Sequence, residues 1–112
     1  MNKKRLYIYV SGPYRGSSSK EIIANKNRAD AIGREIAVRG HIPFIPHTML
    51  DPWQDIDRRF THETILELDR NWLDLCDAIF FIASSKGADK ELQYAKERGK
   101  IIFKKIEELP NL

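Results

Sequence analysis

One apolar run constrains the fold more than any other part of this 112-residue chain. The six residues AIFFIA at 78–83 contain no polar side chain, so they lack the alternation that marks a half-exposed strand. Uninterrupted apolar runs of this length are typical of strands in parallel sheets, which helices cover on both faces. The run therefore predicts a strand that is buried on both sides.

The segments around this run alternate between strand-like and helix-like patterns. Strands are predicted at 5–10, 41–46, 78–83 and 100–106, and helices at 20–40, 61–77 and 87–99. This alternation predicts an α/β fold, a three-layer sandwich of the Rossmann or flavodoxin type. We expect a small, mostly parallel sheet of four to five strands with helices on both faces, in one domain over residues 1–112.

Three further features refine this picture. Prolines mark the strand at 41–46 as an edge strand, and the segment at 47–60 is polar enough to be a long loop or short 3₁₀ pieces. Thr61 is the expected N-cap of the second long helix. The predicted core positions of the first two helices follow helical spacing: Ile22, Ala29, Ile32 and Ile36, then Ile65, Leu68, Trp72 and Leu75.

Composition argues against several classes of protein. The net charge is only +3, from 19 basic and 16 acidic residues spread along the chain, so we expect no nucleic-acid polymer as partner. No apolar run approaches the roughly 20 residues of a membrane helix, and none has the length of a signal-peptide core. Cys76 is the single cysteine, which suits a reducing compartment and predicts a cytoplasmic protein.

The loop SGPYRG after the first strand is a candidate anion site. It fails the Walker A pattern, because no lysine follows Gly16, and it fails the dinucleotide fingerprint at Tyr14. Gly12, Gly16 and Ser17 still offer backbone N–H groups at the start of a helix, and Arg15 offers a bidentate contact. A turn that merely requires glycine and proline, with a solvated arginine, is an equally good interpretation of this loop.

The loop SSKGADKE after the third strand brings a carboxylate close to the same sheet edge. If Ser84 or Ser85 caps the helix, Glu91 lies between its first and second turns, near the strand ends where open parallel sheets bind ligands. Ser85 and Gly87 offer a second anion-binding helix start. Asp69, next to the core position 68, is predicted at the boundary of the buried face. The alternative for both Glu91 and Asp69 is an ordinary carboxylate on the solvent-exposed side of a helix.

These segments resemble one known family. YVSGPYRG at 9–16, DRNWLDLCDA at 69–78 and SSKGADKELQYA at 84–95 resemble the nucleoside 2-deoxyribosyltransferase-like proteins, in particular the 2′-deoxynucleoside 5′-phosphate N-hydrolase branch. The resemblance implies cleavage of the N-glycosidic bond of a deoxynucleoside or a (deoxy)nucleoside 5′-monophosphate. The sugar passes through a covalent ester with a glutamate and then goes to water or to another base.

The resemblance also implies roles for individual residues. Glu91 matches the nucleophile, Asp69 the acid that assists the leaving base, and Tyr14 the tyrosine that orients the nucleophile. The sugar and phosphate would be bound by Gly12, Arg15, Gly16, Ser17, Ser85 and Gly87. No metal or other cofactor is implied, and the ligand would be a nucleoside or nucleoside 5′-monophosphate.

The resemblance further implies a homo-oligomer, a dimer or a dimer of dimers. Trp53 or Phe60 would stack on the base as a lid, unless these aromatics pack on their own domain. Two alternatives of other classes stay open. One is a nucleotide-binding or sensor module without turnover, and the other is an α/β interaction domain in which Glu91 is solvated.

Overall fold

The computed structural model describes residues 4–112, which form four strands and five helices with one 3₁₀ turn. The strands are β1 (Tyr7–Ser11), β2 (Ile42–Phe44), β3 (Ala78–Phe81) and β4 (Ile101–Phe103). The helices are α1 (Ser19–Val38), α2 (Pro46–Met49), α3 (Trp53–Ile56), α4 (His62–Leu75) and α5 (Lys86–Glu97), and the 3₁₀ turn is Ile106–Glu108.

The four strands form one parallel sheet in the order β2-β1-β3-β4. This order confirms the α/β prediction and its Rossmann- or flavodoxin-like class, and it places β2 at an edge as its prolines indicate. The chain winds from β1 to one edge and then crosses over to β3 and the other edge. The winding therefore reverses between β1 and β3, and parallel sheets bind ligands beyond the C-terminal ends of two such strands.

Each face of the sheet has its own core. Ile8 and Val10 of β1 pack on one face with Ala29 and Ile36 of α1. The alternate residues of the central strands face the other side, where they meet side chains from α4 and α5. The second cluster comprises Tyr9, Phe44, Leu50, Leu73, Cys76, Ile79 and Ala95. Side-chain alternation along β1 thus sends Tyr9 and Ser11 toward the face that α4 and α5 cover.

The buried face of α4 differs from the predicted one. Ile65 is buried as expected and Leu68 is partly buried, but Trp72 and Leu75 remain 42% and 73% exposed. The line of buried residues runs instead through Asp69 and Leu73. Both sets of positions, 65/69/73 and 65/68/72/75, have the spacing of one helix face. The set that contains Asp69 is expected on the solvent-exposed side, because aspartate is usually charged. The helix therefore presents a carboxyl group to the interior.

The predicted core of α1 is largely confirmed. Ala29 and Ile36 are fully buried and Ile32 packs against them, whereas Ile22 is only half-buried. Gly33 of α1 is also buried, and the Ile45 side chain packs directly on it. A Cβ atom at position 33 would lie 2.3 Å from Cδ1 of Ile45, so no larger residue fits there. This contact brings the segment after β2 close to α1.

The segment between β2 and α4 is more regular than predicted. Residues expected to form a long loop or 3₁₀ pieces fold into two single-turn α-helices, α2 and α3. Pro46 begins α2, where a missing N–H group costs nothing because the first helical N–H groups have no intrahelical partner. Thr61 then caps α4 as expected, its hydroxyl accepting from the Thr64 N–H group at 3.1 Å. Across residues 4–112, none of the helices combines the length and apolar character needed to cross a membrane.

Candidate active site

A cavity of about 320 Å³ lies beyond the C-terminal ends of β1 and β3. The loop after β1, helix α2, the first half of α4 and the start of α5 surround it. Its polar lining comprises Tyr14, Arg15, His47, Asp51, Gln54, His62, Asp69, Ser85, Lys86 and Glu91. The cavity occupies the position that the sheet topology predicts for a ligand site.

Glu91 is the most firmly held carboxylate in this cavity. Ser85 caps α5, so Glu91 falls between the first and second turns as the sequence predicts. The Tyr9 hydroxyl donates to its Oε2 at 2.5 Å, and the Ser11 hydroxyl donates to its Oε1 at 2.6 Å. Both donors are fully buried on β1. Each carboxylate oxygen therefore has its own donor from a central strand, and the side chain is fixed in orientation.

The tyrosine that contacts Glu91 is not the expected one. The resemblance assigned this role to Tyr14, but Tyr14 lies in the loop beyond β1 and its hydroxyl donates to Asp55 at 3.3 Å. Tyr9 reaches Glu91 because it lies within the strand, two residues before Ser11 and on the same face. A tyrosine in the middle of a strand that is buried on both faces must find a partner for its hydroxyl, and this was the available signal.

The environment of Glu91 raises its pKa to about 7. Burial is the main cause, because a charged carboxylate is costly away from water. The hydrogen bonds from Ser11 and Tyr9 favour the charged form and oppose this effect, while the nearby Asp51 adds to it. The pKa of Tyr9 is raised well above its usual value, mainly by burial, so this side chain keeps its proton and remains a donor. Near neutral pH Glu91 is divided between its two protonation states.

Asp69 has a different protonation state. It is 6% exposed, and burial together with the charges of Asp51 and Glu91 raises its pKa to about 9. A hydrogen bond to Asp51 also favours the protonated form, so Asp69 is the donor and Asp51 the acceptor. One oxygen of Asp69, Oδ1, has no partner. Sequence analysis found Asp69 but not Asp51, which lies between two short helices and has no periodic signal.

His47 supports the loop after β1. Its Nε2 lies 3.0 Å from the Gly12 carbonyl oxygen and 3.1 Å from that of Pro13, so this nitrogen carries the proton and donates to both. The ring is 2% exposed and Nδ1 has no partner. Burial lowers the pKa of His47, which keeps the ring neutral at pH 7. From the sequence we interpret His47 as a structural or rim-exposed residue, and its contacts with two backbone carbonyl oxygens agree with a structural role.

The remaining predicted site residues divide into two groups. Gly12, Arg15, Ser85 and Gly87 line the cavity together with the acids. Gly16 and Ser17 do not line it. The backbone N–H group and hydroxyl of Ser17 both donate to the Glu21 carboxylate, so a side chain of α1 already occupies the predicted anion site at that helix start.

The aromatic residues proposed as a lid do not face the cavity. Trp53 and Phe60 pack on each other with ring centroids 5.0 Å apart, and neither lines the site. This arrangement is the alternative that the sequence left open. Neither the Trp53 ring nor the Phe60 ring is therefore placed to stack on a ligand in this cavity.

A groove between α4 and α5 reaches the same acids from another side. It shares Leu66, Asp69, Gly87 and Glu91 with the cavity and continues outward along Lys90 and Tyr94, among others. The two carboxyl groups therefore lie where two openings meet. Within residues 4–112, no group of three or more histidine, cysteine, aspartate or glutamate side chains is arranged to hold a metal ion.

Comparison with known protein families finds a match over most of the chain. A family described as "Domain of unknown function (DUF7768)" matches residues 6–105, which include the strands, the cavity and all the site residues named above. No curated protein matches the chain.

Proposed function

The chain belongs to the DUF7768 family of domains of unknown function, and from the geometry of its cavity we propose that it cleaves N-glycosidic bonds. The ligand is a deoxynucleoside or a (deoxy)nucleoside 5′-monophosphate. One observation supports this proposal above the others. Two hydroxyl groups fix the Glu91 carboxylate in the cavity, which also contains a protonated carboxylic acid, Asp69.

The first chemical step uses both acids. A Glu91 oxygen attacks C1′ of the sugar while the bond from C1′ to the base nitrogen breaks, and its electron pair leaves with the base. Asp69 gives its proton to the base, so the leaving group departs neutral. The products of this step are the free base, an ionised Asp69 and a sugar ester on Glu91.

The second step releases the sugar. A water molecule attacks C1′, Asp69 takes a proton from it, and the ester bond to Glu91 breaks to restore the carboxylate. If a second base takes the place of water, the same step forms a new nucleoside and the protein is a transferase. The groove between α4 and α5 offers an approach to the acids for water or a second base.

The hydroxyl groups on Glu91 support a nucleophilic role. Two donors that hold a carboxylate at a fixed angle limit the geometries it samples, which favours attack on one atom of a bound ligand. They also stabilise the ionised form, which is the nucleophile, against the cost of burial.

The proposal extends to partners and location. We propose a reducing, cytosolic compartment, because a chain with the single cysteine Cys76 has no internal disulfide. A homodimer or dimer of dimers remains a proposal from the family resemblance.

The test is a product assay. Purified protein is incubated with deoxynucleosides and their 5′-monophosphates, with and without a second free base, and the products are separated by chromatography. Free base without acceptor indicates a hydrolase, and a new nucleoside only with acceptor indicates a transferase. Glu91→Gln should abolish either product, while Glu67→Gln, an exposed glutamate on α4, should not.

Two outcomes would reject the proposal. Undiminished product from Glu91→Gln would remove the mechanism. The absence of product from the unaltered protein, together with thermal stabilisation by the same compounds, would instead support a nucleotide-binding module.

A further inference from the structure

The loop after β1 makes an internal contact at the mouth of the cavity. Arg15 donates from Nη2 to Oδ1 of Asp55 at 2.8 Å, and Tyr14 donates from its hydroxyl to Oδ2 of the same carboxylate at 3.3 Å. Tyr14 and Arg15 line the cavity, whereas Asp55 belongs to α3 and does not. A carboxylate of the chain itself therefore engages two donors that line the ligand site.

This contact has the geometry of anion recognition. Each Asp55 oxygen accepts from a different donor, as two oxygens of a phosphate group would. Arginine binds carboxylate and phosphate oxygens through the same N–H groups, so the two anions are alternatives at one guanidinium. A ligand phosphate that reaches Arg15 must displace Asp55 or share the arginine with it.

The contact is weak enough for such competition. The side chains of Arg15 and Asp55 are 51% and 45% exposed, and exposed ion pairs contribute little to stability. The acids Asp51 and Glu91 also line the cavity and disfavour an anion there, whereas Lys86 favours one and Asp69 is protonated. Neutralisation of Arg15 by Asp55 therefore removes one favourable contact that a ligand phosphate would otherwise have.

We propose that Asp55 determines ligand specificity by competing with a ligand 5′-phosphate for Arg15 and Tyr14. In the unaltered protein this competition weakens the binding of a nucleoside 5′-monophosphate and leaves the binding of the nucleoside unchanged. The identity of the ligand rests on the proposed function, but the competition for an anion does not. Removal of the Asp55 charge shifts the preference toward the phosphorylated ligand.

The experiment measures binding by calorimetry, with inorganic phosphate, a deoxynucleoside and its 5′-monophosphate as probes. Asp55→Asn should lower the Kd for phosphate and for the monophosphate by about 2- to 5-fold, because a competing ion pair is lost. The Kd for the deoxynucleoside should not change. Asp55→Glu, which keeps the charge, should remain close to the unaltered protein.

A matched control lies two residues away. Asp57 is also paired with an arginine, Arg59, and neither lines the cavity. Asp57→Asn removes the same charge, so a general electrostatic effect would change phosphate binding equally in both variants. The double variant Asp55→Asn with Arg15→Gln should lose the gain, because the freed donor is then absent.

The outcomes separate this inference from the proposed function. Equal effects of Asp55→Asn and Asp57→Asn, or no detectable phosphate binding in any variant, would overturn the role of Asp55. Tighter phosphate binding by Asp55→Asn without product formation by the unaltered protein would support the competition and reject the glycosidase. Product formation by the unaltered protein without tighter phosphate binding by Asp55→Asn would support the glycosidase and reject the competition.

Discussion

The Tyr9 hydroxyl donates to a Glu91 oxygen at 2.5 Å, although 82 residues separate the two side chains in sequence. Tyr9 belongs to β1, a strand with a hydrogen-bonded neighbour on each side, and Glu91 belongs to α5. The orientation of the carboxylate is therefore set by the sheet rather than by the loops around the cavity. This relationship makes Tyr9 the first residue to test.

Substitution of Tyr9 by phenylalanine should weaken catalysis and shift its pH dependence. The lost hydrogen bond favours ionised Glu91, so the pKa of Glu91 should rise further above about 7. We expect kcat/KM at pH 7 to fall by about 10-fold or more and to recover partly at higher pH. The measurement is the pH profile of kcat/KM.

Tyr14→Phe is the matched control for this variant. The Tyr14 hydroxyl contacts Asp55 rather than Glu91, so the acidic midpoint of the profile should stay where it is. If Tyr14→Phe moved that midpoint and Tyr9→Phe did not, Tyr14 would be the residue that orients the nucleophile in solution.

The pH dependence of the unaltered protein should be bell-shaped. The nucleophile must be ionised, so activity should rise as pH increases through about 7. The acid must be protonated, so activity should fall as pH increases through about 9. Because the two groups interact, the midpoints belong to the pair as a whole. A profile that is flat between pH 6 and 10 would be incompatible with these two roles.

Substitution of Asp69 by asparagine should stabilise the fold in alkaline solution while removing activity. The folded-state pKa of Asp69 is raised to about 9, so the folded state binds this proton more tightly than the unfolded chain does. Its contribution to stability is therefore greatest at acid pH and decreases as pH rises toward about 9. Asparagine has no such titration and keeps an N–H donor for Asp51.

At pH 8 we expect the free energy of unfolding of Asp69→Asn to exceed that of the unaltered protein by about 1 kcal/mol or more. The difference should diminish toward pH 4, where the unfolded aspartate also becomes protonated. Thermal melts of both proteins across this pH range are the measurement. A variant that is less stable than the unaltered protein at pH 8 but equally stable at pH 4 would show that Asp69 is ionised in the folded protein.

The orientation of α4 can be tested with two leucines. Leu73 is 1% exposed and Leu75 is 73% exposed, although the sequence predicted Leu75 as a core position. Leu73→Ala should lower the free energy of unfolding by about 2–5 kcal/mol, because it leaves a cavity in the core. Leu75→Ala should change it by roughly 0.5 kcal/mol or less. Denaturant unfolding of both variants would measure the difference, and equal costs would contradict this orientation.

The sheet could be predicted from sequence because its signals are local and strong. Apolar runs such as 78–83 mark the strands, Gly40 and Gly99 mark the ends of α1 and α5, and the alternation of strands and helices restricts the topology. The short helices α2 and α3 gave no such signal. A single turn has too few residues for a periodic pattern, and its prolines indicate a loop equally well.

The site could be predicted only in part. Glu91 and Asp69 stand out because they lie in or next to segments with recognisable patterns. Their partners do not, because Tyr9 and Asp51 reach them through the packing of distant segments. The sequence did not predict which face of α4 is buried, because the buried face contains Asp69. Charged residues are rarely buried, so the apolar face without an aspartate was the expected one. Protonation, which the sequence does not display, makes that burial possible.

The position of β1 between two other strands has a consequence for motion. Its backbone is hydrogen-bonded on both sides, so amide exchange at Tyr9 and its strand neighbours requires opening of the sheet itself. Asp51 lies just beyond a four-residue helix, and its N–H group donates to the Pro46 carbonyl oxygen rather than to a neighbouring strand. We therefore expect amide exchange to be slower at Tyr9, which supports Glu91, than at Asp51, which contacts Asp69. The support of the nucleophile and the partner of the acid would then belong to parts of the molecule that open independently.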